Sequence, residues 1–241
     1  MRQLLLLSAI LITIVDCGVV NDISSEMIFQ ETDSIAVPAG TLLPQDISSR
    51  DGYPDIGKWM YQKDMQKAHW LGVLYEGKNL IEPINVIFVD SISKTKTESI
   101  ETLFKNMEMA GYTDQPHHSS GYLGYIGGFF YTQLPSDETH AFSDGTADKE
   151  NNHGRIFGPR RAEGKYIYIA AFSRETVDPA DKIRHRFNSF TRARDDLTLC
   201  LDQKSNYKLA GPLNLDNAIV NDTANTTAEH DSMAVVVSLS R

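Results

Sequence analysis

Residues 83–111 constrain the fold more than any other part of this sequence, because they combine a short β-branched run with a helix that carries its own start and stop signals. Pro83 opens Ile84, Asn85, Val86, Ile87, Phe88 and Val89. Near-continuous apolarity over so few residues predicts a strand covered on both faces, central in a sheet. After Asp90 and Ser91, Thr95 and Glu98 stand at capping-box spacing, and Ile100, Leu103, Phe104 and Met107 recur at helical intervals. Gly111 then supplies the helix stop. The local signals agree with one another, and they ask for a sheet with a helix packed on it.

The remaining pieces extend that pattern. Tyr166, Ile167, Tyr168, Ile169, Ala170, Ala171 and Phe172 predict a second buried strand, paired with the apolar sequence that begins at Ile156 and Phe157 and is turned by Gly158 and Pro159. Residues 119–131 mix aromatics with four glycines, each of which would cost a helix about 1 kcal/mol, so a hairpin or bulged strand is expected. Its aromatics are assigned to core packing. Asp178 and Pro179 break the chain, after which Phe190, Ala193, Leu197, Cys200 and Leu201 mark a helix with Arg192, Arg194, Asp195 and Asp196 on its wetter side. Residues 233–239 predict a closing buried strand, and residues 57–70, with Trp59, Met60, Met65 and Trp70, predict a helix. The expected fold is α+β: a single mixed-sheet domain over residues 57–241 with helices on the sheet, preceded by an irregular segment over residues 18–56.

A length of 241 residues with 41% hydrophobic composition suits one substantial core. The net charge of −9 leaves no broad basic face, which argues against nucleic-acid binding. Arg2 followed by the apolar run from Leu4 to Val15 resembles an export signal and is shorter than the roughly 20 apolar residues of a membrane span. Residues 1–17 are therefore expected to be a signal peptide, with the mature chain starting near Gly18 in a secreted or extracytoplasmic location. Asp16, where a small residue is expected, argues against lipid anchoring at Cys17. No later segment predicts a transmembrane span. Cys17 and Cys200 are the two cysteines, too few for a disulfide framework, and Cys200 is expected as a small buried apolar residue. Asn221 and Asn225 each open an N-glycosylation tripeptide, expected in an exposed loop if the chain passes through a eukaryotic secretory route.

Functional chemistry concentrates in residues 151–159, where Asn151, Asn152, His153 and Arg155 precede apolar sequence. His153 and Arg155 lie two apart, so in a strand they share a face and can contact one ligand. His185 from a neighbouring strand and Asp144 from the preceding loop complete a candidate catalytic set of His153, Arg155, His185 and Asp144. Asn152, His153 and Arg155 form the candidate ligand-binding set. The plainer expectation is that His153 and Arg155 fix the loop by bonding carbonyls and Asp144. His117 and His118 are adjacent, point opposite ways in a strand, and are not assigned as metal ligands. The sequence assigns no metal and names no cofactor, and it contains no nucleophile elbow, phosphate loop, zinc signature or dinucleotide fingerprint. Two functions fit: a binding or accessory module for a small anionic ligand, which is preferred, or a hydrolase acting on a phosphate ester or related anion through His153, His185 and Arg155.

Taken in order, several short segments resemble the LssY C-terminal-like domain. Pro83 to Val89 with a helix ending in Ala110, Gly111 and Tyr112 is similar to that family's strand and helix close. Asn152, His153, Gly154, Arg155, Ile156 and Phe157 resemble its His-His-x-Arg signature, with Asn152 standing where the family has its first histidine. Ala170 to Glu175, then His185, Arg186 and Phe187, then Arg194 to Leu197, resemble later segments, and residues 235–239 fit its hydrophobic end. The resemblance runs from Pro83 to the C-terminus. It implies an α/β domain with an envelope or lipid-related setting, because some members also carry a membrane-embedded lipid-phosphatase domain, but it implies no established activity. N-terminal sequencing of exported protein is expected to start near Gly18; material beginning at Met1 would contradict cleavage.

Overall fold

The computed structural model describes residues 34–37, 40–117, 119–178 and 181–240, with residues 181–184 described by their backbone alone. The expected signal peptide, Cys17 and His118 lie outside the described residues. In chain order the main elements are β1 (His69–Tyr75), β2 (Lys78–Ile81), β3 (Val86–Asp90), α1 (Lys96–Ala110), β4 (Tyr122–Ile126) and β5 (Phe129–Leu134). Then follow β6 (His140–Ser143), β7 (Asn151–Ala162), β8 (Lys165–Asp178), β9 (Asp181–Ser189), α2 (Phe190–Lys204), β10 (Lys208–Asn214) and β11 (Met233–Leu239). A 14-stranded sheet follows the path β10, β11, β3, β8, β7, β5, β4, and continues into the short strands Ile56–Gly57 and Ile47–Ser48. It is mixed: β11 runs parallel to β3, while β3, β7 and β9 each pair antiparallel with β8. The α+β expectation holds at this level, with a sheet-dominated domain and, among the described residues, two α-helices.

Strand alternation assigns the core. Tyr166, Tyr168, Ala170 and Phe172 of β8 face the helices and pack with Leu103 and Met107 of α1 and Leu197 and Leu201 of α2. The intervening Ile167, Ile169 and Ala171 pack on the other face with Ile84, Ile87, Phe157 and Val236. Apolar residues at both parities explain why the run reads as continuous in sequence. Helix α1 starts as expected, Thr95 Oγ1 accepting from Glu98 N at 3.1 Å. It ends at Gly111 with φ 90°, a left-handed conformation that glycine adopts without a Cβ penalty. At the start of α2, Glu229 Oε1 accepts from Phe190 N at 2.6 Å and Thr191 N at 3.0 Å, placing a carboxylate at the positive end of the helix.

Five local expectations change. Residues 57–70 form no helix: Gly57 pairs with Ile47, and Tyr61 pairs with Leu123. Trp59 and Tyr61 pack in one cluster and Met60 in another, so the aromatic run alternates between faces with strand period. Gly158 and Pro159 do not turn the chain; β7 passes through them with a register shift between Phe157 and Arg160 and continues to Ala162. Arg194 is buried, because its Nη1 donates to Asp231 Oδ1 at 2.6 Å and to Met233 O at 2.7 Å, tying α2 to the entry of β11. Cys200 is only partly buried, at the edge of the helix-side cluster. Of the two expected glycan acceptors, Asn221 is exposed, whereas Asn225 is half-buried in a short strand and its Oδ1 accepts from Asn79 Nδ2 at 3.3 Å.

Gly154 shows how tightly β7 and β8 meet. A Cβ added there would lie 2.3 Å from the Ala171 carbonyl oxygen and 2.5 Å from Phe172 Cγ. The glycine makes room for the neighbouring strand and its ring rather than for a ligand. Gly154→Ala is expected to destabilise by about 1–3 kcal/mol or more through overpacking, read as a lowered urea midpoint at unchanged slope.

Candidate functional site

Alternation along β7 sends Asn151, His153 and Arg155 to the face away from the helices and Asn152 to the helix face. On β8 the residues directly opposite are Glu175, Ser173 and Ala171. Asn152 is engaged elsewhere. Its backbone N–H donates to Asp144 Oδ1 and its Nδ2 to Asp144 Oδ2, each at 2.7 Å, while its Oδ1 accepts from Arg174 Nη1 at 3.2 Å. Asp144 is therefore satisfied by Asn152 and does not serve as the carboxylate of His153. Neither Asp144 nor Asn152 joins the candidate site, since a one-residue step along a strand reverses the side chain.

The carboxylate that meets the histidines is Glu175. Asn151 Nδ2 donates to Glu175 Oε1 at 2.8 Å and to Lys149 O at 2.9 Å, which turns the Asn151 oxygen toward His153 Nδ1 at 2.9 Å. That contact assigns the His153 proton to Nδ1 and leaves a lone pair on Nε2. His185, on β9, brings its Nδ1 to 2.9 Å from Glu175 Oε2. His117 enters from the segment after the Thr113–Pro116 strand and stacks on His153, with ring centroids 4.6 Å apart and planes 17° apart. It is buried, so it joins the cluster although the sequence does not assign it as a metal ligand. His153, Arg155 and His185 converge around Glu175; Asp144 does not.

Arg155 is 4% exposed, and its guanidinium lies 5.3 Å from the centre of the Tyr122 ring. Its Nε has no hydrogen-bond partner among the described residues. Tyr122 in turn borders a surface depression of about 440 Å³, shared with Gln62, His69, Leu71, Gly72, Ser119 and Ser120. Glu82, immediately after β2, is buried beside these groups and feels both Arg155 and Glu175. Trp70 closes another side, its Nε1 donating to Ser173 Oγ at 3.2 Å.

Burial controls the protonation of this cluster. Desolvation pushes the Glu82 carboxyl up to about 7; Arg155 opposes the shift and Glu175 adds to it. Desolvation also raises Glu175, against the hydrogen bond from Asn151 and the pull of His185. His153 is held well below its usual range, first by desolvation and then by Arg155, His117 and His185. The result is a neutral imidazole, a cation and two carboxyls in a water-poor space. Such a set can bind an ion, orient an anion or move a proton. Among the described residues, His117, His153 and Glu175 could hold a metal, each offering one donor atom, all within 4.8 Å of one another.

Glu175, Glu82 and His117 were missed as site residues in the sequence. Glu175 had a partial signal: pairing counted back from the Ala162–Lys165 turn brings Thr176 opposite Asn151, and only the register shift between Phe157 and Arg160 moves Glu175 into that place. Glu82 had none, because a carboxylate beside Pro83 reads as loop. Its titration gives a test. Below pH 4.5 Glu82 is protonated folded and unfolded; from there to about 7 the folded state holds a proton that the unfolded chain has released. Stability from this group is therefore lost as pH rises through that window, by up to about 3 kcal/mol. His153 acts in the opposite sense, costing stability as pH falls below 6.5, where the unfolded chain takes up a proton that the folded one refuses. Glu82→Gln is expected to gain stability relative to wild type between pH 5 and pH 8. Urea denaturation at both pH values checks this, and a constant difference would contradict it.

Compared with protein-family models, curated proteins and solved structures, the chain matches none of them.

Proposed function

We propose that this chain is an exported binding module that takes a small anionic ligand at Arg155. The observation that carries the reading is the buried Arg155 guanidinium, whose Nε lacks a hydrogen-bond partner among the described residues while its face rests on Tyr122, at the edge of the surface depression. A desolvated guanidinium N–H favours a charged acceptor, and charge-assisted hydrogen bonds are the strong class. Ser119 and Ser120 in the same depression add polar groups for a ligand's outer oxygens. Export rests on the apolar N-terminal run, and membership of the LssY C-terminal-like group rests on the ordered resemblance from Pro83 onward. Both remain part of the proposal.

A hydrolase acting on a phosphate ester is the second reading, favoured by the 2.9 Å contact between His185 and Glu175. A carboxylate that orients an imidazole is the arrangement used for proton transfer, with Arg155 available to stabilise developing negative charge. His153 and His185 would carry the acid and base roles.

Inorganic phosphate titrated into the full exported chain by calorimetry is expected to bind, and Arg155→Met is expected to weaken it about 10–100-fold, the loss of one hydrogen bond to a charged group. Binding unchanged in Arg155→Met would overturn the assignment. For the second reading, turnover of p-nitrophenyl phosphate should vanish in the His153→Ala, His185→Ala double variant. Turnover that persists would remove both residues from any mechanism.

A further inference from the structure

His117, His153 and Glu175 converge although they come from three segments separate in sequence: two neighbouring strands and the residue that follows the Thr113–Pro116 strand. We infer that they form a binding site for one divalent transition-metal ion of the zinc class. Two imidazole nitrogens and one carboxylate oxygen make a donor set suited to zinc, cobalt or nickel; magnesium and calcium prefer oxygen donors throughout. The spacing is also suitable. Metal–ligand bonds of about 2.0–2.1 Å in a tetrahedral site put donor atoms roughly 3.3 Å apart. The present donors all lie within 4.8 Å of one another, so small side-chain rotations complete the set without moving the strands.

The surroundings supply what a metal site needs beyond its ligands. Asn151 holds Glu175 Oε1 at 2.8 Å and His153 Nδ1 at 2.9 Å, and His185 Nδ1 lies 2.9 Å from Glu175 Oε2. Each carboxylate oxygen keeps a second lone pair, and outer contacts of this kind fix the direction of ligating groups. Charge points the same way. Apart from Arg155 the cluster gathers two buried carboxyls, Glu82 and Glu175, and a doubly charged cation would offset them. Three protein ligands leave a further coordination position for water or for a ligand oxygen, beside the guanidinium. The inference deepens the anion-binding reading of the same site, because the ion would give an anion a second positive partner, but it stands or falls on metal binding alone.

Metal content of the untagged full chain, purified without chelator, should be close to one equivalent of a transition metal per chain. After chelator dialysis, one equivalent of Co²⁺ should develop visible d–d absorption that Zn²⁺ abolishes. His117→Ala and the isosteric Glu175→Gln should weaken Co²⁺ affinity at least about 100-fold, beyond the 10–100-fold typical of outer-sphere changes. His140→Ala, whose ring pairs with Asp114 away from the cluster, should leave it unchanged. No stoichiometric metal together with no Co²⁺ spectrum would overturn the inference even if both variants failed to fold, and so would equal affinity in folded His117→Ala. Phosphate titrations of the chelated and Zn²⁺-loaded chain separate the two readings. Arg155-dependent phosphate binding without metal binding would leave the anion reading standing alone. Metal binding without phosphate binding would leave only the metal site.

Discussion

The antiparallel pairing of β7 with β8 is the contact on which the rest of the structure depends. Ten residue pairs are in register from Asn151–Glu175 to Ala162–Lys165, interrupted once by the shift after Phe157. On one side of this ribbon lie both helices, on the other the second apolar cluster, so the same two strands present a core surface twice. β3, β9 and β5 all attach to this ribbon. Gly154 permits the close approach, and the Phe172 ring fills the volume a side chain would occupy.

The end of that ribbon is polar on both faces, and the two faces solve the problem differently. On the helix side, Asn152, Asp144, Arg174, Glu150 and Asp196 form a partly exposed network in which carboxylates meet donors. Water reaches many of these groups, so their charges cost little. The opposite face buries Glu82, Arg155, His153 and Glu175 nearly completely. There desolvation dominates, raising both acids and lowering the His153 imidazole. One strand thus carries a surface network and a buried ionisable cluster one residue apart.

Much of the architecture was legible because apolar periodicity and caps are local. The Thr95 cap, the Gly111 stop, the β-branched run before them and the Tyr166 to Phe172 strand need nothing beyond their own neighbours. Residues 57–70 misled because aromatic and methionine spacing there satisfies a helix as well as an alternating strand, and only pairing with β4 decides it. The candidate site was half legible. His153 and Arg155 could be paired because strand parity is a sequence property, and His185 joined them only through an expected neighbouring strand. Asp144 stands out in sequence and Glu175 does not, because nearness along the chain is visible there and nearness across the sheet is not. His117 and Glu82 arrive from segments whose approach depends on the tertiary fold, and no local pattern marks them. Arg194 failed for a related reason: its partner Asp231 is distant in sequence, so its charge read as solvated.

A buried ionisable cluster is a poor way to hold strands together, and this decides how the site should be understood. Desolvating a charge costs several kcal/mol, and apolar residues of similar volume commonly serve a core equally well or better. The neighbouring positions show that this sheet has such residues to hand: Ala171, Ile169 and Phe157 continue the same face as packed core. At Asn151, His153, Arg155, Ser173 and Glu175 the face changes to groups that are each desolvated or held by hydrogen bonds. Contrast Arg194, whose charge is met by Asp195 and Asp231 at half-exposed positions and whose contacts join two elements. Arg194 accounts for itself structurally. The His153 cluster holds two acids against ionisation and an imidazole against protonation, and the contacts of Asn151 and His185 offset that desolvation only in part. A bound charged species would supply a compensating charge, which is the physical reason for testing that face of β7 for a ligand.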